Sequence, residues 1–349
     1  MLETIKNDKK VIVLFNLGGP DKLDNVGPFL YNLFSDKWII RAPFLIRKTI
    51  AFFISFFRKK LAKQNYSLIG GKSGLLEETE KQKNALLRKL KKEIKNVEIL
   101  VSMRYWHPFA KEVVSKIKDY NPAEVIMLPL YPQLSTATTI SSFEEFEELL
   151  KQEKTNLKVK KIGCYFDNEL FIKAHVSLIK KELKKFTKNP IILFSAHSIP
   201  KKYVKTGDPY EWQINKTYKA IISDQEISGY ETKLCYQSKV GPIEWLSPST
   251  ERVIEEEARS GKNILIVPIA FVSEHIETLV ELDIEYKSIA DKYKIEYRRV
   301  QALGDNEDYI DALSKFVLNT IKSEQEIVSF NSGKCPAEFK YCLCRNKNV

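Results

Sequence analysis

The sequence predicts an α/β protein of two doubly wound domains with parallel sheets, and three observations carry that expectation. Short β-branched and apolar runs recur, amphipathic stretches separate them, and polar or glycine-rich strings stand where the runs end. The runs are residues 11–15 (VIVLF), 97–103, 125–130, 157–162, 191–195 (IILFS), 233–236, 264–269 (ILIVPI) and 295–300. Helical patterns fill most of the gaps, as at 109–119, 169–185, 209–223 and 250–259. Strands alternating with helices of this length argue parallel sheets covered on both faces. Eight runs in 349 residues suit two four-stranded sheets better than one large one.

Composition narrows the class without choosing a function. Apolar residues at 44% and charged residues at 29% describe an ordinary globular chain. A formal charge of +11 admits anionic partners, whether nucleic acid, anionic lipid or a carboxylate-bearing small molecule. Nucleic acid is disfavoured, because no basic-aromatic module or known motif accompanies the charge. The first ten residues are polar and lysine-rich and carry no secretory pattern. The front apolar stretch, residues 50–57 (IAFFISFF), is far short of the ~20 needed to span a bilayer. Five cysteines without a regular framework suit a reducing compartment, so a cytoplasmic protein is expected.

Ligands of doubly wound sheets bind outside the carboxyl ends of the strands. Here those ends carry NLGGP (16–20), MRYWHP (103–108), LPLYPQLSTATT (128–139), SAHSIP (195–200), YQSKVGP (236–242) and IAFVSEHIE (269–277). NLGGP reads as a tight strand-to-helix turn, since it lacks the dinucleotide-binding spacing. IGGKSG (69–74) is not a nucleotide loop, because Tyr66 stands where a glycine is required. Of the four histidines, His107, His197 and His275 fall in these strings, whereas His175 sits in a helical pattern as a surface or packing residue. His197 directly follows the most apolar run, which places an imidazole at the mouth of a cleft for proton transfer near neutral pH.

Residues 273–286 (SEHIETLVELDIEY) carry the strongest chemical signal. At 3.6 residues per turn, Glu274, Glu277, Glu281 and Glu285 share one face and Ile276, Leu279, Val280 and Ile284 another. A solvated acidic face and a row of oxygen ligands leading a divalent cation to an imidazole both fit that stripe. The aromatic stretch 51–57, followed by Lys59, Lys60 and Lys63, fits either a core helix or an exposed apolar lip at a membrane surface.

Taken together, NLGGP, SMRYWHP, LYPQLSTATT, FSAHSIP, GDPY (207–210), YQSKVGPIEWLSPST and VPIAFVSEHIETLVELDIEY resemble the ferrochelatase family over residues 10 to 325. The resemblance implies two Rossmann-like domains of the type II chelatase kind with a porphyrin cleft between them. It implies insertion of ferrous iron, the substrate metal, into protoporphyrin IX as the terminal step of protoheme synthesis. The first domain would span 8–140 with a hydrophobic lip at 38–58. The second would span 141–325, its last helix returning to the first domain, and a cysteine-bearing tail would fill 326–349. The family's iron-binding and proton-handling pair falls on His197 and Glu277, and its metal path on Glu274, Glu281 and Glu285. Its porphyrin-lining positions fall on Leu17, Arg104, Tyr105, Tyr131, Ser135, Gln237, Ser238, Trp245 and His275. Whether metal arrives beside His197 or beside Arg104 and Tyr105 stays open. The lip implies peripheral contact with an anionic inner-membrane surface.

The tail departs from the common bacterial form. Cys335, Cys342 and Cys344 cluster in CPAEFKYCLC, and some ferrochelatases carry a [2Fe–2S] cluster on C-terminal cysteines. The animal-type spacing does not occur, and Thr136 occupies the family's upstream ligand position, leaving Cys164 or Cys235 to complete a set of four. The competing readings are a chelatase of the same fold acting on coproporphyrin or cobalt, and a non-catalytic porphyrin or heme carrier. A carrier would need neither Glu277 beside His197 nor an acidic stripe. Oligomeric state is not legible.

Overall fold

The computed structural model describes residues 8–154, 157–239, 241–333 and 335–343. In chain order it contains β1 (Lys10–Asn16), α1 (Val26–Phe34), α2 (Phe44–Leu68), α3 (Leu75–Leu90), β2 (Val97–Met103), α4 (Ala110–Tyr120) and β3 (Glu124–Pro129). A π-helical turn, Thr136–Ile140, runs into α5 (Ser141–Gln152), and β4 (Lys158–Ile162) follows. Next come α6 (Glu169–Leu183), β5 (Ile191–His197), α7 (Lys201–Lys205), α8 (Tyr210–Ile222), β6 (Thr232–Gln237), α9 (Thr250–Arg259) and β7 (Ile264–Pro268). A π-helix, Glu277–Glu285, leads into α10 (Tyr286–Lys292), then β8 (Tyr297–Arg299), α11 (Glu307–Lys322) and β9 (Ile327–Val328).

These elements form two compact units, Met1–Gly163 with Leu313–Ser329, and Cys164–Ala312 with Phe330–Val349. The first holds a parallel sheet ordered β2-β1-β3-β4-β9 and the second a parallel sheet ordered β6-β5-β7-β8. The α/β class with two parallel sheets is therefore as the sequence predicts. The first sheet has five strands where four were expected. Its extra strand, β9, is a two-residue pairing of Lys161 and Ile162 with Ile327 and Val328, too short to leave a periodic signal. The division falls after Gly163 where the sequence suggested residue 140, because β4 pairs with β3 and carries α5 with it.

The strands read as continuous apolar runs because both of their faces are covered. In the second unit alternate residues feed two separate cores. Ile192, Phe194, Leu265 and Val267 pack on one face, and Ile191, Leu193, Ile264 and Ile266 on the other. The first unit is closed by a cation. Lys160 on β4 is buried, and its Nζ donates to the carbonyls of Thr320, Ile321 and Ser323 at 3.0, 2.9 and 2.6 Å while pairing with Glu124 at 3.1 Å. These acceptors are the unpaired carbonyls at the end of α11, so the buried charge caps a helix and locks the returning chain to the sheet.

Helix α2 decides the ambiguity of the aromatic stretch. Phe52, Phe53, Phe56 and Phe57 are 56%, 52%, 66% and 72% exposed, which rules out a core helix. Leu45 and Phe44 extend the apolar face, and Ala51, Ser55 and Tyr66 are its buried residues. Among the described residues no helix is long and apolar enough to cross a membrane.

Candidate active site

In the second unit, the carboxyl ends of β5, β6 and β7 bring together six of the residues singled out by sequence. His197 ends β5 and Gln237 ends β6, followed by Ser238; His275 lies in the loop after β7, and Glu277 and Glu281 lie on the π-helix. His197 Nε2 stands 3.6 Å from Glu277 Oε2, and His275 Nε2 stands 3.7 Å from the same oxygen. The other nitrogen of each ring settles its tautomer. His197 Nδ1 is 2.6 Å from the Ser198 carbonyl and His275 Nδ1 is 3.2 Å from the Ser273 carbonyl. A carbonyl can only accept, so each Nδ1 donates and each ring turns its Nε2 toward the carboxylate. Both distances exceed a hydrogen bond, and Glu277 Oε2 is buried without a hydrogen-bond partner. Buried polar atoms are rarely left so, and this one lies where a proton or cation would complete it.

Two carboxylates of the π-helix, Glu277 and Glu281, are driven apart electrostatically. Burial would raise the Glu277 carboxyl, but the nearby imidazoles of His197 and His275 and the Ser238 hydroxyl outweigh it and hold it well below the usual range. Burial first, and then the charge of Glu277, push Glu281 up to about 7. Glu281 is held by Ser238 Oγ at 2.7 Å and Gln237 Nε2 at 3.2 Å, while the Gln237 amide also reaches the Glu277 carbonyl. Phe271 lies against His275 with ring centroids 4.5 Å apart, and Tyr210 donates to the His197 carbonyl at 3.0 Å.

The single acidic face expected at 3.6 residues per turn does not form. Glu277–Glu285 is a π-helix, whose wider turn changes which side chains align. Glu274 precedes it and is removed from the expected metal path: its carboxylate is taken by Arg299 Nη1 at 2.8 Å, Thr278 Oγ1 at 2.6 Å and the Ala302 N–H at 2.8 Å. Arg299 also grips Asp283 through two bonds, so one guanidinium clamps the segment on both sides of Glu277. Glu285 is exposed. Trp245 is bridged to Pro200, with its indole N–H buried and without a partner.

The first unit gathers a second set at the ends of β1, β2 and β3. The Leu17 carbonyl accepts from Tyr105 N, and Gly18 follows with φ +85°, where a Cβ would meet Met103 and Trp106 at 3.1 Å. The Tyr105 hydroxyl donates to Asp36 at 2.7 Å, and the Ser141 hydroxyl donates to the same carboxylate. Arg104 contacts Asp36 at 3.1 Å, Ser141 at 2.7 Å and Glu145 at 2.9 Å. Tyr131 Oη and Ser142 Oγ are buried there beside each other, and Ser135 caps the π-helical turn through its hydroxyl. Asp36, Ser141, Glu145 and Arg299 carried no sequence signal, since each acts on a residue distant along the chain, and Tyr210, which ends the GDPY string, gave no sign of its contact with the His197 backbone. His107 is exposed and pairs with Glu112, apart from these groups. His175 is buried against Phe171, and burial drops its pKa to about 3.

A third cluster lies in the second unit. Gln213 Nε2 is ringed by the buried thiols of Cys164, Cys335 and Cys342 at 3.9, 3.6 and 3.9 Å. Cys235 instead lies under β5, its thiol 3.4 Å from the Phe194 carbonyl. Cys344 lies outside the described residues. Among the described residues no group of three or more His, Cys, Asp or Glu side chains is arranged to hold a metal ion.

Parallel α/β units with polar side chains gathered at the strand ends define a chelatase-type fold, and solved structures share it. SirB from Bacillus subtilis with Fe3+ matches with a TM-score of 0.53 at 13% identity, over 90% of this chain and 96% of that one. The sirohydrochlorin chelatase SirB of Bacillus subtilis subspecies spizizenii in complex with cobalt matches with a TM-score of 0.50 at 11% identity, over 90% of this chain and 94% of that one. Likeness at such identity shows the fold alone.

The family is shown by sequence. The ferrochelatase family model matches residues 9–321. The ferrochelatase of Rickettsia felis is 53% identical over 97% of this chain and 98% of its own length, and that of Pelagibacter ubique is 45% identical over 97% and 99%. The chain belongs to the ferrochelatase family, lyases that insert iron into a porphyrin.

One pH effect follows from Glu281. Its raised pKa favours the folded state while the carboxyl is protonated, and that contribution is lost as pH rises from the ordinary carboxyl value of 4.5 through about 7. Glu281→Gln cannot ionise, so thermal denaturation is expected to show it melting about 2–4 °C above the parent near pH 8, with the gap closing near pH 5. A gap of equal size at both pH values would contradict the assignment.

Proposed function

We propose that the protein inserts Fe²⁺ into protoporphyrin IX to form protoheme, with His197 and Glu277 as the residues at the reacting centre. The observation that carries this reading is the pair of basic imidazole nitrogens facing one unsatisfied carboxylate oxygen, at 3.6 and 3.7 Å. Insertion exchanges one divalent cation for two pyrrole protons, so the site must accept two protons and tolerate a cation. His197 Nε2 takes a pyrrole proton as general base, and Glu277, held ionised, stabilises the imidazolium and helps bind Fe²⁺. Glu281, which binds a proton near neutral pH, receives one from the centre. In the first unit, Arg104 and Tyr105 are fixed by Asp36, and the buried Tyr131 and Ser142 hydroxyls suit a porphyrin's polar edge.

Two further features belong to this reading. We infer that α2 rests on an anionic membrane surface, supported by its exposed phenylalanines beside Lys48, Arg58, Lys59, Lys60 and Lys63. We also infer a resident [2Fe–2S] cluster to which Cys164, Cys335 and Cys342 would contribute thiolates. Its support is the convergence of three thiols on one buried amide, with a fourth cysteine two residues beyond Cys342. Such a cluster would supply a redox-active centre there; no step of metal insertion is assigned to it.

Steady-state insertion assays should show Fe²⁺ and protoporphyrin preferred over Co²⁺ or Zn²⁺ and over coproporphyrin. His197→Ala should lower turnover about 10²–10⁴-fold while porphyrin fluorescence still reports binding; near-normal turnover by that variant would remove the assignment. Anaerobically purified protein should be coloured, with visible absorption that bleaches on Cys342→Ser, and a colourless parent ends the cluster reading. Co-sedimentation with vesicles containing anionic lipid should fall severalfold when Phe53 and Phe57 are both changed to serine. Unchanged sedimentation would count against α2 as the contact.

A further inference from the structure

Among the described residues, four non-glycine positions adopt left-handed backbone: Asn121, Lys154, Ser238 and Lys294. Asn121, Lys154 and Lys294 follow the ends of α4, α5 and α10, where a left-handed residue is an ordinary helix stop. Ser238 is different. It follows strand β6 directly, with φ +64°, a conformation that disfavours any side chain and that glycine adopts freely. Strain of this kind at a non-helical position is held in place only when surrounding contacts require it.

The contacts show what it accomplishes. Along an extended strand successive side chains point to opposite faces, so Gln237 and Ser238 should diverge. Yet Gln237 Nε2 and Ser238 Oγ converge on the same atom, Glu281 Oε2, at 3.2 and 2.7 Å. The left-handed turn at Ser238 folds its hydroxyl back to the face that Gln237 already occupies. Gln237 cannot rotate away, because its own oxygen accepts from Ser195 Oγ at 2.7 Å and Ser195 is tied to Thr250. The hydroxyl is the shorter of the two bonds to Glu281.

We propose that Ser238 is a positioning residue for metal insertion, whose strained backbone and hydroxyl hold the Glu281 carboxylate in register with Glu277. This differs from lining the porphyrin, the role the family resemblance implies for it, and it rests on the proposed function above. Glycine at 238 separates the two possibilities, because it satisfies the backbone and deletes only the hydroxyl. Ser238→Gly is expected to melt at the parent's temperature or about 2–4 °C above it. Its kcat should fall about tenfold or more, with the KM for porphyrin within about twofold of the parent. Glu281→Gln should show a comparable loss, and the double variant should be no slower than Glu281→Gln alone to within about twofold. Parental kcat in Ser238→Gly, a loss confined to KM, or losses that multiply in the double variant would each overturn the proposal. Should the parent itself fail to insert iron, the proposed function falls, and the positioning inference is then read from the ligand-free protein. The side-chain carboxyl carbon resonance of Glu281 should shift in Ser238→Gly, and an unmoved resonance overturns it.

Discussion

The electrostatics at the strand ends of the second unit centre on one buried oxygen, Glu277 Oε2, which faces two imidazoles and accepts no hydrogen bond. The surrounding structure is arranged so that this oxygen stays charged. Backbone carbonyls of Ser198 and Ser273 take the Nδ1 protons of His197 and His275, turning both basic nitrogens inward. Once Glu277 is ionised, a second carboxylate nearby is harder to ionise, and Glu281 binds its proton more tightly for that reason. One acidic pair is thereby divided into a carboxylate held ionised and a neighbour that binds a proton near neutral pH.

Holding both groups on one segment requires an unusual helix. The π-helix Glu277–Glu285 is kept in place from outside by Arg299, whose guanidinium grips Glu274 before the segment and Asp283 within it. That clamp explains why four glutamates spaced like an acidic face do not act alike. Glu274 is consumed in structure, Glu277 and Glu281 face the strand ends, and Glu285 meets solvent. The first unit solves a similar problem with Asp36, a single buried carboxylate that fixes Arg104, Tyr105 and Ser141 together.

The sulfur chemistry shows the same dependence on distant partners. The tail thiols Cys335 and Cys342 lie seven positions apart in sequence, but which of Cys164 and Cys235 lies with them is decided by packing. Cys235 alternates into a core face beneath β5, while Cys164 emerges after the last residue of the first unit's body and meets Gln213 with the tail. Likewise the phenylalanines of α2 suit a core by composition, and only their exposure in the fold shows that no core covers them.

The sequence by itself determined the α/β class, the strand candidates and the rim on which the chemistry sits. Those properties follow from local periodicity and from the rule that parallel strands present ligands at their carboxyl ends. His197, Glu277, His275 and Glu281 were legible for the same reason, together with the strings that resemble ferrochelatases. Tertiary structure decided the fifth strand, the return of the chain through Lys160, the fate of Glu274, and the partners Asp36, Arg299 and Tyr210. Each of these is a contact between residues far apart along the chain, or a change of helical pitch that such contacts impose. Spacing along a sequence encodes neither, because both depend on which elements are brought side by side.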